Sequence, residues 1–86
     1  MTADFDSSFD KMFAKLVTKK QVKVISTIEL FLADPTNQKL RNHALKGEYN
    51  GQRSISAGGD TRLHFLIISP TKVLFIAVGT HAQLYG

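Results

Sequence analysis

The sequence predicts an α+β domain, an N-terminal helical hairpin packed on an antiparallel β-sheet meander. Three observations carry that prediction. Apolar residues recur at helical spacing as far as Asp34-Pro35, and beyond residue 52 the spacing shortens to two, with turn-forming clusters between the runs. The length, 86 residues, allows one small core that shields only about 60 to 65% of the unfolded chain's surface, so neither layer is stable without the other.

Asp6 or Ser7 can cap a first helix whose apolar positions Phe9, Met12, Phe13 and Leu16 fall on one stripe. Asp10 sits in its first turn, where the helix dipole favours an anion. A break is expected near Thr18 to Lys20. Val24, Ile25, Ile28, Phe31 and Leu32 then repeat the stripe until Asp34, whose helical geometry Pro35 disfavours. Residues 36 to 51 turn polar and irregular, a long loop with two apolar anchors, Leu40 and Leu45. Loops of that length in compact domains are frequently functional, which draws attention to His43 and Lys46.

Beyond the loop, Arg53 to Ala57, Arg62 to Ile68 and Val73 to Val78 alternate as strands. The turn signals Gly58-Gly59-Asp60 and Ser69-Pro70-Thr71 separate them, which gives a three-stranded meander. On the middle strand Leu63, Phe65 and Ile67 share the face expected to meet the helices, leaving Arg62, His64 and Leu66 on the other. Ser54 and Ser56 are expected to share that second face with Arg62, and Arg53 to point the opposite way.

The chain has no cysteine, which excludes disulfides and thiolate metal sites. Its start, Met1-Thr2-Ala3-Asp4-Phe5-Asp6, is acidic where a signal peptide is basic, and its longest apolar runs are about six residues against the roughly 20 that span a bilayer. A cytoplasmic protein with no membrane contact is the expectation. Net charge is +4; residues 1–38 carry five Lys/Arg against five Asp/Glu, and residues 39–86 six against two. The excess in the second half suits RNA, DNA or an acidic protein partner.

No glycine-rich phosphate loop, HExxH, GxSxG or metal-spaced His or Cys pair occurs. The last strand instead delivers His81 and Tyr85, four positions apart, to its end. Together with His43, Asp60 and Arg62 they form a set that the proposed fold gathers along one sheet edge. Phosphodiester cleavage in RNA suits such a set, because RNA carries its own nucleophile, the 2′-hydroxyl. The protein then supplies a base, an acid and a cation, and imidazole exchanges protons in both directions near neutral pH. In the structural alternative Arg62 pairs with Asp60 or Glu48 at the surface. His64, within an apolar stretch of strand, is assigned a structural role.

Three segments resemble the RelE/ParE toxin superfamily, and especially its YafQ-like branch. They are Leu40-Arg41-Asn42-His43-Ala44-Leu45-Lys46-Gly47-Glu48-Tyr49-Asn50-Gly51-Gln52-Arg53, then Gly59-Asp60-Thr61-Arg62-Leu63, then Gly79-Thr80-His81-Ala82-Gln83-Leu84-Tyr85-Gly86. The GTHxxLYG ending is the most specific of them. The resemblance implies a toxin of a toxin–antitoxin pair that enters the A site of the 70S ribosome and cuts mRNA there by 2′-hydroxyl attack, without metal or cofactor. It implies a cognate antitoxin protein as partner. His81 matches the catalytic histidine of the branch, His43 its loop histidine, Asp60 its acidic residue before the middle strand, and Tyr85 its terminal aromatic. Arg62 matches an arginine that RelE-like members place near the scissile phosphate. Arg53 and Lys46 are candidates for backbone phosphate contacts. The chain departs from the branch at Ser54 and Ser56, where an acidic residue and a histidine are usual, and at Thr61, where a bulky aromatic is usual. Two other readings are a ParE-like poison of DNA gyrase and a non-catalytic nucleic-acid-binding module.

Overall fold

A computed structural model describes residues 1–85. Its elements are β1 (Thr2–Phe5), α1 (Ser7–Ala14), α2 (Thr18–Ala33), β2 (His43–Ala44), β3 (Arg53–Ser56), β4 (Thr61–Ser69), β5 (Lys72–Thr80) and α3 (His81–Tyr85). The α+β class is as expected, with two corrections. The sheet has five strands in the order β1-β5-β4-β3-β2, with β1 parallel to β5 and the other pairs antiparallel. The expected N-terminal helical hairpin is preceded by β1, and α1 lies against β5. A parallel partner 70 residues away, Thr2 opposite Lys72, is what makes the first residues a strand.

Asp6 caps α1 as expected, its carboxylate accepting from the Ser8 amide at 3.0 Å and the Ser8 hydroxyl at 2.6 Å. The helical break falls at residues 15–17, earlier than expected: the Lys15 and Leu16 amides close tight turns onto Met12 and Phe13, and Val17 is extended. On α2 the buried stripe is Val24, Thr27 and Phe31, and Ile25 is exposed. Thr27 tolerates burial because its hydroxyl donates to the Lys23 carbonyl one turn back, at 2.7 Å.

An aromatic cluster joins helices to sheet. Phe31 meets Phe65 and Phe75 at centroid distances of 4.9 and 5.7 Å, and Phe9 meets Phe75 at 5.9 Å. Leu63 and Phe65 face this core as expected, but Ile67 is 60% exposed, lying beyond the last β3–β4 pair, Arg53 opposite Phe65, with a strand neighbour on its β5 side. Phe65 pairs with Phe75 and His64 with Ala77, so Ile76 is an extra residue, a bulge that keeps both Phe75 and Val78 buried. The segment expected to be one loop contains the short strand β2 and two 3-10 turns, Gln38–Leu40 and Gly47–Tyr49, with Leu40 and Leu45 buried as anchors.

Candidate active site

The sheet face turned away from α1 and α2 carries the titratable groups. Side chains of cross-strand partners share a face, and the register places His43, Ser54, His64 and Ala77 in one row and Ser56, Arg62 and Gly79 in the next. Two strand spacings put the backbones of His43 and His64 about 10 Å apart. Serine, alanine and glycine are the small members of these rows, and they leave space for the imidazoles and the guanidinium.

The turn from β5 into α3 is a capping box. The Gln83 amide donates to the Thr80 hydroxyl at 3.2 Å, and the Thr80 amide donates to Gln83 Oε1 at 2.8 Å. A helix started this way brings residues four apart onto one side, and the His81 and Tyr85 rings meet at 4.5 Å. Gly79 gives the capping side chain its room, since a Cβ there would lie 2.8 Å from Gln83 Oε1 and push it aside. Gly86, the last residue of the GTHxxLYG ending, lies outside the described residues.

Tyr85 folds back over the sheet. Its hydroxyl is 3.1 Å from His64 Nε2, and its ring packs on His64 at 5.3 Å and on Tyr49 at 5.0 Å. Tyr49 in turn donates to the Leu84 carbonyl at 3.1 Å and pins α3 in place. Beneath these rings His64 is only 2% exposed. Burial holds its imidazole below the ordinary pKa, and the neighbouring imidazoles of His43 and His81 add to the effect. Burial raises the Tyr85 phenol, Tyr49 adds to that, and Arg62 opposes it. The phenol therefore keeps its proton, and it shares one hydrogen bond with the neutral His64 at Nε2.

His43 is exposed, with Nδ1 2.7 Å from the Arg41 carbonyl. A carbonyl only accepts, so Nδ1 carries the proton and the neutral ring presents Nε2 as an acceptor, the form a general base requires. Arg41 supplies that carbonyl from a left-handed conformation, φ 51°. Arg62 donates through Nη1 to Ser56 Oγ at 3.2 Å and to the Gly59 and Thr61 carbonyls at 2.9 and 3.0 Å. Among the described residues no carboxylate pairs with it, and neither Asp60 nor Glu48 is its partner; the ion pair found is Lys72–Asp4. Its Nε and Nη2 have no protein acceptor among the described residues, which leaves donors for a phosphate. No three His, Cys, Asp or Glu side chains among the described residues converge as a metal site.

No sequence-family model matches the chain, and no curated protein matches it. Solved structures do match. YafQ from E. coli strain BL21(DE3) superposes with a TM-score of 0.80 at 22% identity, over 99% of this chain and 98% of that one. The E. coli DinJ–YafQ toxin–antitoxin complex gives 0.77 at 22% identity over 99% and 97%. The YoeB/ParE toxin from Agrobacterium tumefaciens gives 0.76 at 15% identity over 94% and 99%. The fold is that of the RelE/ParE toxins.

On this RelE/ParE fold His43, Arg62, His81 and Tyr85 come together on one face. Asp60 does not join them: it is exposed in the β3–β4 turn and lines a groove with Lys19, Lys20 and Lys23 of α2. Arg53 points to the helical side, as strand parity predicts, where its Nε donates to Asn42 Oδ1 at 2.9 Å. Lys46 is exposed ahead of the 3-10 turn that carries Tyr49. Two members of the cluster, His64 and Tyr49, were not among the candidates. The signal for His64 was its position two residues after Arg62, on the same face; Tyr49 had only its aromatic ring in a polar loop.

Proposed function

We propose that this chain is the toxin of a type II toxin–antitoxin pair, a cytoplasmic ribonuclease that cuts mRNA in the ribosomal A site. The observation that carries the proposal is the gathering of His43, Arg62, His81 and Tyr85 on one face of a RelE/ParE fold. In the reaction, His43 Nε2 takes the proton of the 2′-hydroxyl as its oxygen bonds to phosphorus. The free donors of Arg62 stabilise the charge on the phosphorane, and His81 gives a proton to the 5′-oxygen as its bond to phosphorus breaks. Neutral His64 holds Tyr85, and Tyr85 supports the His81 ring. The nucleophile is the substrate's own hydroxyl, so the chemistry requires no metal or other cofactor.

At Ser54 and Ser56 the chain lacks the acidic residue and histidine of the YafQ-like pattern, and the proposed mechanism relies on His43, Arg62 and His81 instead. Ser54 is the cross-strand partner of His64 and Ser56 that of Arg62, so an imidazole and a guanidinium stand one strand over from the two serines. DinJ–YafQ is a toxin–antitoxin complex, and a cognate antitoxin is the corresponding partner here. Lys46, Arg53 and Asp60 are secondary candidates, away from the reacting atoms. Growth arrest with mapping of mRNA ends, in cells expressing wild type or His81→Ala, tests the proposal. Codon-phased cuts and arrest that both vanish with His81→Ala are expected. Equal arrest from both proteins without cuts overturns the ribonuclease reading, and accompanying gyrase inhibition assigns the chain to the ParE-like poisons.

A further inference from the structure

The balanced charge of residues 1–38 conceals a basic run, Lys19, Lys20 and Lys23, in the first two turns of α2. The fold brings that run against the β3–β4 turn, where Lys23 lies over Gly58; a Cβ added there would be 3.2 Å from Lys23 Cε. Between α2, the Gln38–Leu40 turn and the β3–β4 turn lies a cleft of about 580 Å³. Lys23, Lys39, Arg41 and Arg62 line it, with no carboxylate among its described lining residues. The Lys19 and Lys20 groove adjoins it through Lys23, Gly58 and Gly59, and its one acid is Asp60. Cations drawn from three elements around one cleft repel each other, a cost to the free protein that an anion removes.

We propose that this cleft binds the backbone phosphates of the RNA strand that flank the phosphate at Arg62. The inference rests on the ribonuclease reading for the identity of the strand. Arg62 belongs to both the cleft and the His64 face, so a strand whose scissile phosphate meets Arg62 continues directly among Lys23, Lys39 and Arg41. The guanidinium forks suit phosphate oxygens, and Leu30 and Leu40 give the cleft an apolar wall for sugar and base. Its volume lies in the range of sites that enclose a small ligand, which fits a nucleotide or two.

The test is binding of a short, fluorescently labelled single-stranded 2′-deoxy oligonucleotide, followed by anisotropy across a salt series. Lys23→Gln/Lys39→Gln is compared with Lys11→Gln/Lys15→Gln, which removes the same charge from the exposed surface at α1. All four lysines are exposed, and circular dichroism verifies that both variants fold. Two lost phosphate contacts at roughly 0.7 each lower the log–log salt slope by about 1.4, so the cleft variant's deficit is about 25-fold larger at 0.1 M than at 1 M salt. The control retains the wild-type slope. Equal losses from both variants, or none from either, overturn the inference. Competition by polyglutamate as effective as by unlabelled oligonucleotide overturns it too, and assigns the cleft to an acidic protein. The probe lacks the attacking hydroxyl, which separates the two proposals. A protein that binds through the cleft but cuts no mRNA fails only the ribonuclease reading, and one that cuts mRNA while both variants bind alike fails only this inference.

Discussion

Tyr85→Phe removes one oxygen and leaves the ring contacts, to His81 at 4.5 Å, Tyr49 at 5.0 Å and His64 at 5.3 Å, in place. What disappears is the 3.1 Å hydrogen bond to Nε2 of His64, a side chain only 2% exposed. A neutral hydrogen bond contributes about 0.5–1.5 kcal/mol net, and a buried polar group left unpaired costs about 1–3 kcal/mol. Tyr85 itself is half-buried, and water reaching past it offsets part of that cost, so about 1–2 kcal/mol is expected. In a chain of this size that lowers Tm by roughly 5–15 °C. Thermal and urea unfolding followed by circular dichroism measure it. The same substitution in a His64→Phe background is expected to cost little, since the partner imidazole is already gone. A Tyr85→Phe protein that melts with the wild type, or one that loses as much stability with His64 absent as with it present, refutes the reasoning.

Three further outcomes are expected. His64 has a folded pKa below its unfolded value of about 6.5, with burial as the main cause. The unfolded chain therefore binds a proton that the folded chain refuses. Stability is lost as pH falls from about 6.5 through the lowered folded value, and this group costs nothing above that window; urea midpoints at pH 7 and pH 5 show the loss, and His64→Phe reduces it. Phe31→Ala empties the junction of Phe65 and Phe75 and costs about 3–5 kcal/mol, enough to unfold much of so small a domain at 37 °C, as circular dichroism will show. Gly79→Ala places a Cβ 2.8 Å from Gln83 Oε1 and opens the capping box. It costs about 1 kcal/mol, speeds hydrogen exchange at the Thr80 and Gln83 amides, and lowers cleavage by displacing His81.

Much of this arrangement was legible in the sequence because it is local. Helical spacing located α1 and α2, alternation located β3 to β5, and strand parity separated Arg53 from Arg62 and the two serines. What escaped depends on distant partners. Thr2-Ala3-Asp4-Phe5 alternates polar and apolar over only four residues, too short a run to mark a strand, and β5, 70 residues on, is what pairs with it. Ile67 fits the apolar alternation of β4, but β3 stops pairing at Phe65 and leaves it exposed. The candidate site divides the same way: His81 and Tyr85 are one helical turn apart and announce each other, and Thr80 with Gln83 spells the cap that orients them. His64 was on the face already assigned to Arg62, yet an imidazole in an apolar strand reads as packing. Its companions Tyr49 and Tyr85 come from 15 residues before it and 21 after it. Counting charge by halves of the chain hid the α2 lysines, which the fold places beside Arg41 and Arg62.

The most direct test of the central claim is the end chemistry of mRNA incubated with translating ribosomes and purified wild type, His81→Ala or Arg62→Ala. Attack by the 2′-hydroxyl predicts codon-phased cuts that leave 5′-hydroxyl ends downstream and 2′,3′-cyclic phosphates upstream, lost in both variants. Cuts that persist in both variants, ends carrying 5′-phosphates, or intact mRNA alongside a toxic wild-type protein would contradict the account.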